Sequence, residues 1–186
     1  MITRLTGDRR RLAFRDDKVK GELWGALPAM DPVAPADRNY LENMRASRGK
    51  KFRRAFNKPV EKMPEALATS MDSVVWETCA DPCLSCGTCN VVCPTCFCFE
   101  VKDEPGLDVI AGEKHRRWDA CHLESFAMVG HGENFRPERK HRLRHRVNRK
   151  FSYLSAMGQG AFCTGCGRCG RQCTAGIDIY DVINAV

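Results

Sequence analysis

Residues 83–98 read CLSCGTCNVVCPTCFC, and residues 163–173 read CTGCGRCGRQC. Both carry the run C-x2-C-x2-C-x3-C. The first is Cys83, Cys86, Cys89 and Cys93, followed by Pro94. The second is Cys163, Cys166, Cys169 and Cys173, followed by Thr174. Two-residue gaps let a tight loop wrap one cubane and aim three thiolates at three of its irons. The fourth thiolate sits on a following helical turn and points to a neighbouring cubane. The pattern predicts crossed ligation of two [4Fe-4S] clusters. Cys83, Cys86, Cys89 and Cys173 would hold one, and Cys163, Cys166, Cys169 and Cys93 the other. Gly87, Gly165 and Gly167 keep side chains out of the loops and leave backbone N–H groups able to reach sulfur. Zinc is the competing reading, but it takes four thiolates as two separated pairs, and three in a row would leave a surplus.

Four further cysteines lie outside the repeat: Cys79, Cys96, Cys98 and Cys121. Four thiolates are what one more cubane needs. Cys96 and Cys98 follow directly on Cys93, Cys121 ends the unit RRWDAC, and Cys79 precedes the first block. They predict a third [4Fe-4S] cluster, with His122 or His115 as alternatives to Cys79, since imidazole also ligates iron. The bland reading is that some are buried core thiols. Trp76, Phe97, Phe99 and Phe162, near these cysteines, are expected to exclude water from the clusters.

The composition fits this chemistry. The chain has 186 residues, 12 of them cysteine, and a formal charge of +7. Disulfide frameworks belong to small secreted domains. The N-terminus carries basic residues but no apolar leader, and no apolar run approaches membrane length, so a cytoplasmic protein without a membrane span is expected. Residues 1–65 hold 16 Lys+Arg against 9 Asp+Glu, while residues 66–186 hold 14 of each. Each oxidised four-iron cluster with its four thiolates brings about −2, so the basic excess is weak grounds for nucleic-acid binding. The stripe Arg136–Lys150 has eight Lys+Arg, and its basic faces are expected to offset cluster charge or meet an acidic partner.

Read along its length, the chain predicts a mainly α fold with much irregular structure. A bacterial, α-helical ferredoxin-like core would occupy residues 66–186, with a helical insert at 94–162. Residues 1–65 would form an extended basic N-terminal docking arm, with Phe52 and Phe56 as apolar anchors in the basic strip Arg45–Lys58. Arg11–Phe14 and Val19–Trp24 could pair as a hairpin, and the Pro-rich stretch Leu27–Pro35 reads as a linker. Asp37 is a candidate cap for a helix carrying Tyr40, Leu41 and Met44, with Gly49 interrupting it. Ser70 would cap a helix from Met71 to Ala80, and His122–Val129 a short helix. Pro137 would open a longer helix with Leu143, Val147, Phe151 and Leu154 on one face and Gly158 as its stop. Asp178 would cap a last helix.

The stretches CLSCGTCNVVCPTCFC, RRWDAC at 116–121, ENFR at 133–136, CTGCGRC at 163–169 and GIDI at 176–179 resemble the dicluster four-iron family of electron-transfer subunits. The resemblance covers about residues 72–186. It is closest to the small iron–sulfur subunit of tungsten-dependent class II benzoyl-coenzyme A reductases of strict anaerobes, and is also similar to the iron–sulfur beta subunit of soluble nickel–iron hydrogenases. It implies a non-catalytic subunit that passes single electrons through three [4Fe-4S] clusters. The partner would be a larger catalytic subunit with a tungsten–pterin site, together with other electron-transfer proteins. A hydrogenase subunit is the alternative within this class. An iron–sulfur nucleic-acid-binding or regulatory protein is the alternative from another class.

Overall fold

The computed structural model describes residues 2–4, 10–12, 32–108, 110–155 and 160–186. The chain divides into two compact units, Met1–Ala55 and Phe56–Val186.

In the first unit, β1 (Ile2–Arg4) pairs antiparallel with β2 (Arg10–Leu12), with Ile2 opposite Leu12. The expected partner of Arg11–Phe14 was Val19–Trp24, which lies outside the described residues. Helix α1 spans Pro35–Arg48. It starts earlier than the Asp37 cap predicts, because proline at the first turn gives up an N–H the helix does not need. Asp37 therefore lies within the first turn, and Ala34 stands at the cap. Leu41 is buried, whereas Tyr40 is exposed. Gly49 opens a 3-10 turn, Gly49–Lys51.

The second unit begins with a 3-10 turn, Val60–Lys62, leading into α2 (Met63–Thr69) and then α3 (Val75–Ala80). The helix expected from Met71 is thus shorter. Ser70 closes α2 instead of capping the next helix, and its carbonyl accepts a 2.6 Å hydrogen bond from the Trp76 indole N–H. Next come α4 (Thr88–Val91), the antiparallel strands β3 (Phe99–Pro105) and β4 (Gly112–Trp118), a 3-10 turn Glu124–Ala127, and α5 (Arg139–Phe151). Helices α6 (Arg168–Arg171) and α7 (Ile179–Ala185) complete the unit.

The insert is therefore not purely helical, since the β3–β4 hairpin fills its first part. Its register runs from Phe99 opposite Trp118 to Pro105 opposite Gly112. Every strand position is exposed or half-buried, so no buried period-2 stripe announces it in the sequence. His122–Val129 holds only the single 3-10 turn. Helix α5 starts at Arg139 and not at Pro137, because the carbonyls of Arg136 and Pro137 turn back to accept from the Arg142 guanidinium at 2.9 and 2.5 Å.

One core joins α2, α3, α5 and α7. It contains Met63, Leu67, Trp76, Leu143, Val147, Phe151, Val182 and Ile183. The stripe predicted on α5 faces it, with Leu143, Val147 and Phe151 at 3%, 0% and 1% exposure. Leu154 lies beyond the helix end and is half-buried, and Gly158 is outside the described residues. Phe56 belongs to this unit. Its ring stacks on Tyr180 and meets Phe151 edge-on, both at 5.6 Å. It is thus a packing residue here, while Phe52 remains exposed. Asp178 caps α7 as expected, accepting from the Tyr180 N–H at 3.0 Å. Among the described residues no helix is long and apolar enough to cross a membrane.

Candidate metal centre

The two cysteine blocks fold alike. Each loop turns left-handed twice, at Ser85 (φ 53°) and Gly87 (φ 73°) in the first and at Gly165 (φ 65°) and Gly167 (φ 67°) in the second. A one-turn helix follows each glycine, α4 carrying Cys89 and α6 carrying Cys169. The fourth cysteine ends the turn in both: Cys93 N–H donates to the Asn90 carbonyl and Cys173 N–H to the Gly170 carbonyl, each at 3.2 Å. Ser85 holds a conformation that suits glycine, and its hydroxyl accepts from Arg142 at 2.9 Å.

Helices α4 and α6 pack together and bring thiols of both blocks to one cavity. It is lined by Cys83, Cys86, Cys89 and Cys173, with Cys169, His122 and Arg146 beside them. Burial pushes the Cys89 thiol up to about 11, against the pull of Arg146. Exposed Cys86 is held below the ordinary thiol value by the Thr88 hydroxyl. The charge of Cys93 reaches Cys163 and Cys166 of the second block. Hydrogen bonding from Cys96, then from Thr95, holds Cys93 well below the usual thiol range.

A separate cavity gathers Cys96, Cys98 and Cys121, with Asn90, Arg146, Arg149 and Lys150 in its wall. The Asn90 amide donates to Cys121 Sγ at 3.1 Å. Cys98 and Cys121 hydrogen-bond each other, which lowers the first and raises the second. The structure does not bring Cys79 to this cavity. Its thiol packs against the apolar core, and burial and then Asp181 raise it above its ordinary value. Neither histidine takes its place. His115 lies on the hairpin, 3.5 Å from Glu104 and 3.2 Å from Glu113. His122 lines the first cavity, its Nδ1 3.8 Å from Cys83 Sγ. Burial, then Arg146 and Arg142, lower its pKa to about 3.

The aromatic side chains expected to exclude water divide. Trp76 belongs to the helical core. Phe97 and Phe99 are exposed, each under an arginine, Arg149 at 4.5 Å and Arg116 at 5.4 Å.

The donor set fits iron–sulfur clusters. All twelve cysteines are free. Among the described residues no three Cys, His, Asp or Glu close on a point suited to a single ion. Cys83, Cys86, Cys89, Cys169 and Cys173 instead line one cavity and Cys96, Cys98 and Cys121 another, as a many-atom cluster requires. The sequence reading missed Asn90 as part of these walls; it expected the basic faces of Arg136–Lys150 to offset cluster charge without singling out Arg146 and Lys150, which line the cavities, or Arg142, which holds Ser85 of the first loop. Their signal was present: 142, 146 and 150 share a helical face, one position before the apolar stripe 143, 147 and 151.

Residues 82–177 match the 4Fe-4S dicluster domain family. The chain is 36% identical over 174 residues to the Sulfhydrogenase 2 subunit beta of Pyrococcus furiosus, an alignment covering 92% of this chain and 51% of that one. The chain thus spans about half the length of the curated relative it matches. No solved structure matches it. This similarity corrects the leading expectation, because it favours the hydrogenase-type alternative over the benzoyl-coenzyme A reductase subunit. The cysteine motifs carry the resemblance to both families, so they could not separate them. The alignment also takes in most of residues 1–65, which carry no motif of their own. With four-cysteine loops in duplicate and iron–sulfur clusters as its cofactors, the chain belongs to the 4Fe-4S dicluster domain family.

Proposed function

We propose that this chain is the iron–sulfur electron-transfer subunit of a soluble, cytoplasmic complex of hydrogenase type. It would serve a larger nickel–iron catalytic subunit and bind no substrate itself. Cys83, Cys86, Cys89 and Cys173 hold one [4Fe-4S] cluster, and Cys163, Cys166, Cys169 and Cys93 hold a second. Cys96, Cys98 and Cys121 supply protein thiolates to a third. The observation that carries this reading is the place of Cys173, which comes from the second block yet lines the cavity of the first three cysteines of the other. When bound, the clusters supply one-electron redox chemistry. The protein's own part is positional. Left-handed loop residues aim the thiolates, α4 and α6 hold the two loops together, and buried cations on α5 face the thiolates. The basic arm expected at residues 1–65, cut back to residues 1–55 by the boundary between the compact units, acts toward the catalytic partner.

The test is a pair of substitutions in the full chain, purified without oxygen. Cys173→Ala should remove the cluster bound by the first block, and Cys93→Ala the cluster bound by the second, as read by electron paramagnetic resonance. Loss of each cysteine's own block instead would overturn the crossed ligand sets. A native complex whose large subunit contains no nickel would overturn the hydrogenase assignment.

A further inference from the structure

Helix α5 carries three buried cations at positions i, i+4 and i+8: Arg142, Arg146 and Lys150, at 3%, 4% and 4% exposure. They form one row along the helix. Among the described residues no carboxylate lies within ion-pair distance of any of them. A buried charge without a counter-ion is strongly unfavourable, so three in a row call for anions.

Each cation meets the cysteine loops at a different level. Arg142 donates to Ser85 Oγ at 2.9 Å, inside the first loop. Arg146 donates to the Cys89 carbonyl at 3.0 Å and lines both the Cys83 cavity and the Cys96 cavity. Lys150 donates to Thr95 Oγ1 at 2.7 Å and lines the Cys96 cavity. The same Thr95 hydroxyl lies 3.4 Å from Cys93 Sγ. The charges that act on Arg146 come from Cys89, Cys169 and Cys96, one from each of the three thiol groups. The Nε–H groups of Arg142 and Arg146 are buried with no protein acceptor, which leaves donors to spare for cluster sulfur.

We propose that Arg142, Arg146 and Lys150 form a shared counter-charge row for the clusters, with Arg146 acting on all three reduction potentials at once. This rests on the iron–sulfur reading above. Reduction adds negative charge, and a fixed cation in a dry interior stabilises the reduced form. Removing that cation therefore lowers the potential. The row's graded contacts make the pattern specific. Arg146 should move every cluster, Lys150 the clusters of the Cys93 and Cys96 groups, and Arg142 only the cluster of the Cys83 group. These are positioning residues, since the thiolates alone hold the iron.

The experiment is a spectroscopically monitored redox titration of the anaerobically purified full chain, with iron content measured on each sample. Arg146→Met keeps much of the packing and removes the charge, and Arg146→Lys keeps the charge. Arg146→Met should shift the oxidised-to-reduced ratio of all three clusters by about tenfold at fixed potential, or 59 mV for a one-electron couple, and a shift confined to one cluster would refute its shared role. Arg146→Lys should shift it less. If Arg146→Met cannot retain iron while Arg146→Lys can, the charge is again what matters. If neither retains iron, Lys150→Met decides: a shift confined to the Cys93 and Cys96 groups supports the row, and unchanged potentials refute it. Unchanged potentials in an iron-replete Arg146→Met would overturn the proposal while leaving the iron–sulfur reading intact. Wild-type chain without iron would sink both.

Discussion

Gly87 and Ala120 meet so closely that a Cβ added at 87 would stand 2.8 Å from the Ala120 Cβ. The contact docks the first cysteine loop onto the segment that ends in Cys121, so the walls of two thiol cavities are built against each other. Gly87 is also left-handed, at φ 73°. Gly87→Ala should therefore suffer twice, from backbone strain of about 1–2 kcal/mol and from overpacking of about 1–3 kcal/mol. Gly165, at the left-handed φ of 65°, has nothing within 4 Å of its missing Cβ, so Gly165→Ala carries the strain alone. Thermal unfolding of the two variants under anaerobic conditions should place Gly87→Ala lower. Equal midpoints would mean that the Ala120 contact gives way at no cost.

The ligand set of the third cavity is open to direct assay. Cys98→Ala and Cys121→Ala should each lower the iron content by about four per chain, the content of one cubane. Cys79→Ala should leave it unchanged, because the Cys79 thiol packs on the helical core beside α7. An equal loss of iron in Cys79→Ala would show that this thiol does reach a cluster.

Residues 1–65 were expected to form one arm, but the boundary between the compact units falls after Ala55. Removing residues 1–55 should preserve iron content and thermal stability and abolish assembly with the catalytic partner. Removing residues 1–65 should also lower stability, because it takes away Phe56, which stacks on Tyr180, and Met63, which is 1% exposed. Size-exclusion chromatography with the partner and melting of the free chain check the two halves of this expectation. Normal assembly by the shorter truncation would end the docking role.

His145 gives the fold an acid sensitivity. Burial, with Arg136 and Arg149 nearby, lowers its pKa to about 4 from an ordinary 6.5. Between those values the unfolded chain binds the proton and the folded chain does not, so stability rises with pH across the window and falls on acidification. Denaturation of wild type and His145→Gln at pH 7 and pH 5 should show a smaller loss in the variant. Identical losses would assign the acid sensitivity elsewhere.

Much of the local structure was legible because its causes are local. Gly87, Gly165 and Gly167, read as keeping side chains clear of the thiolates, are all left-handed in the structure, as is Ser85, which nothing in the sequence marked. The Asp178 cap and the stripe Leu143, Val147, Phe151 follow from one side chain and one helical period. The β3–β4 hairpin was not legible, because a strand pair with no buried face leaves no alternating pattern. Phe56 was misread for a related reason. Its neighbours in sequence are basic, and only the distant Phe151 and Tyr180 make it a core residue.

The sequence by itself determined the chemistry: twelve cysteines, eight of them in two equal runs, restrict the ligand to a thiolate-bound cluster. Spacing within a run is a short-range property, and it survives whatever fold surrounds it. Only the tertiary structure decided which outlying groups join that chemistry. It set Cys79 against the core and Asn90 against Cys121. It also turned Arg142, Arg146 and Lys150 inward, where composition alone would leave such residues in water. A side chain's partners across the fold are fixed by which faces the helices bury, and that follows from packing among segments tens of residues apart.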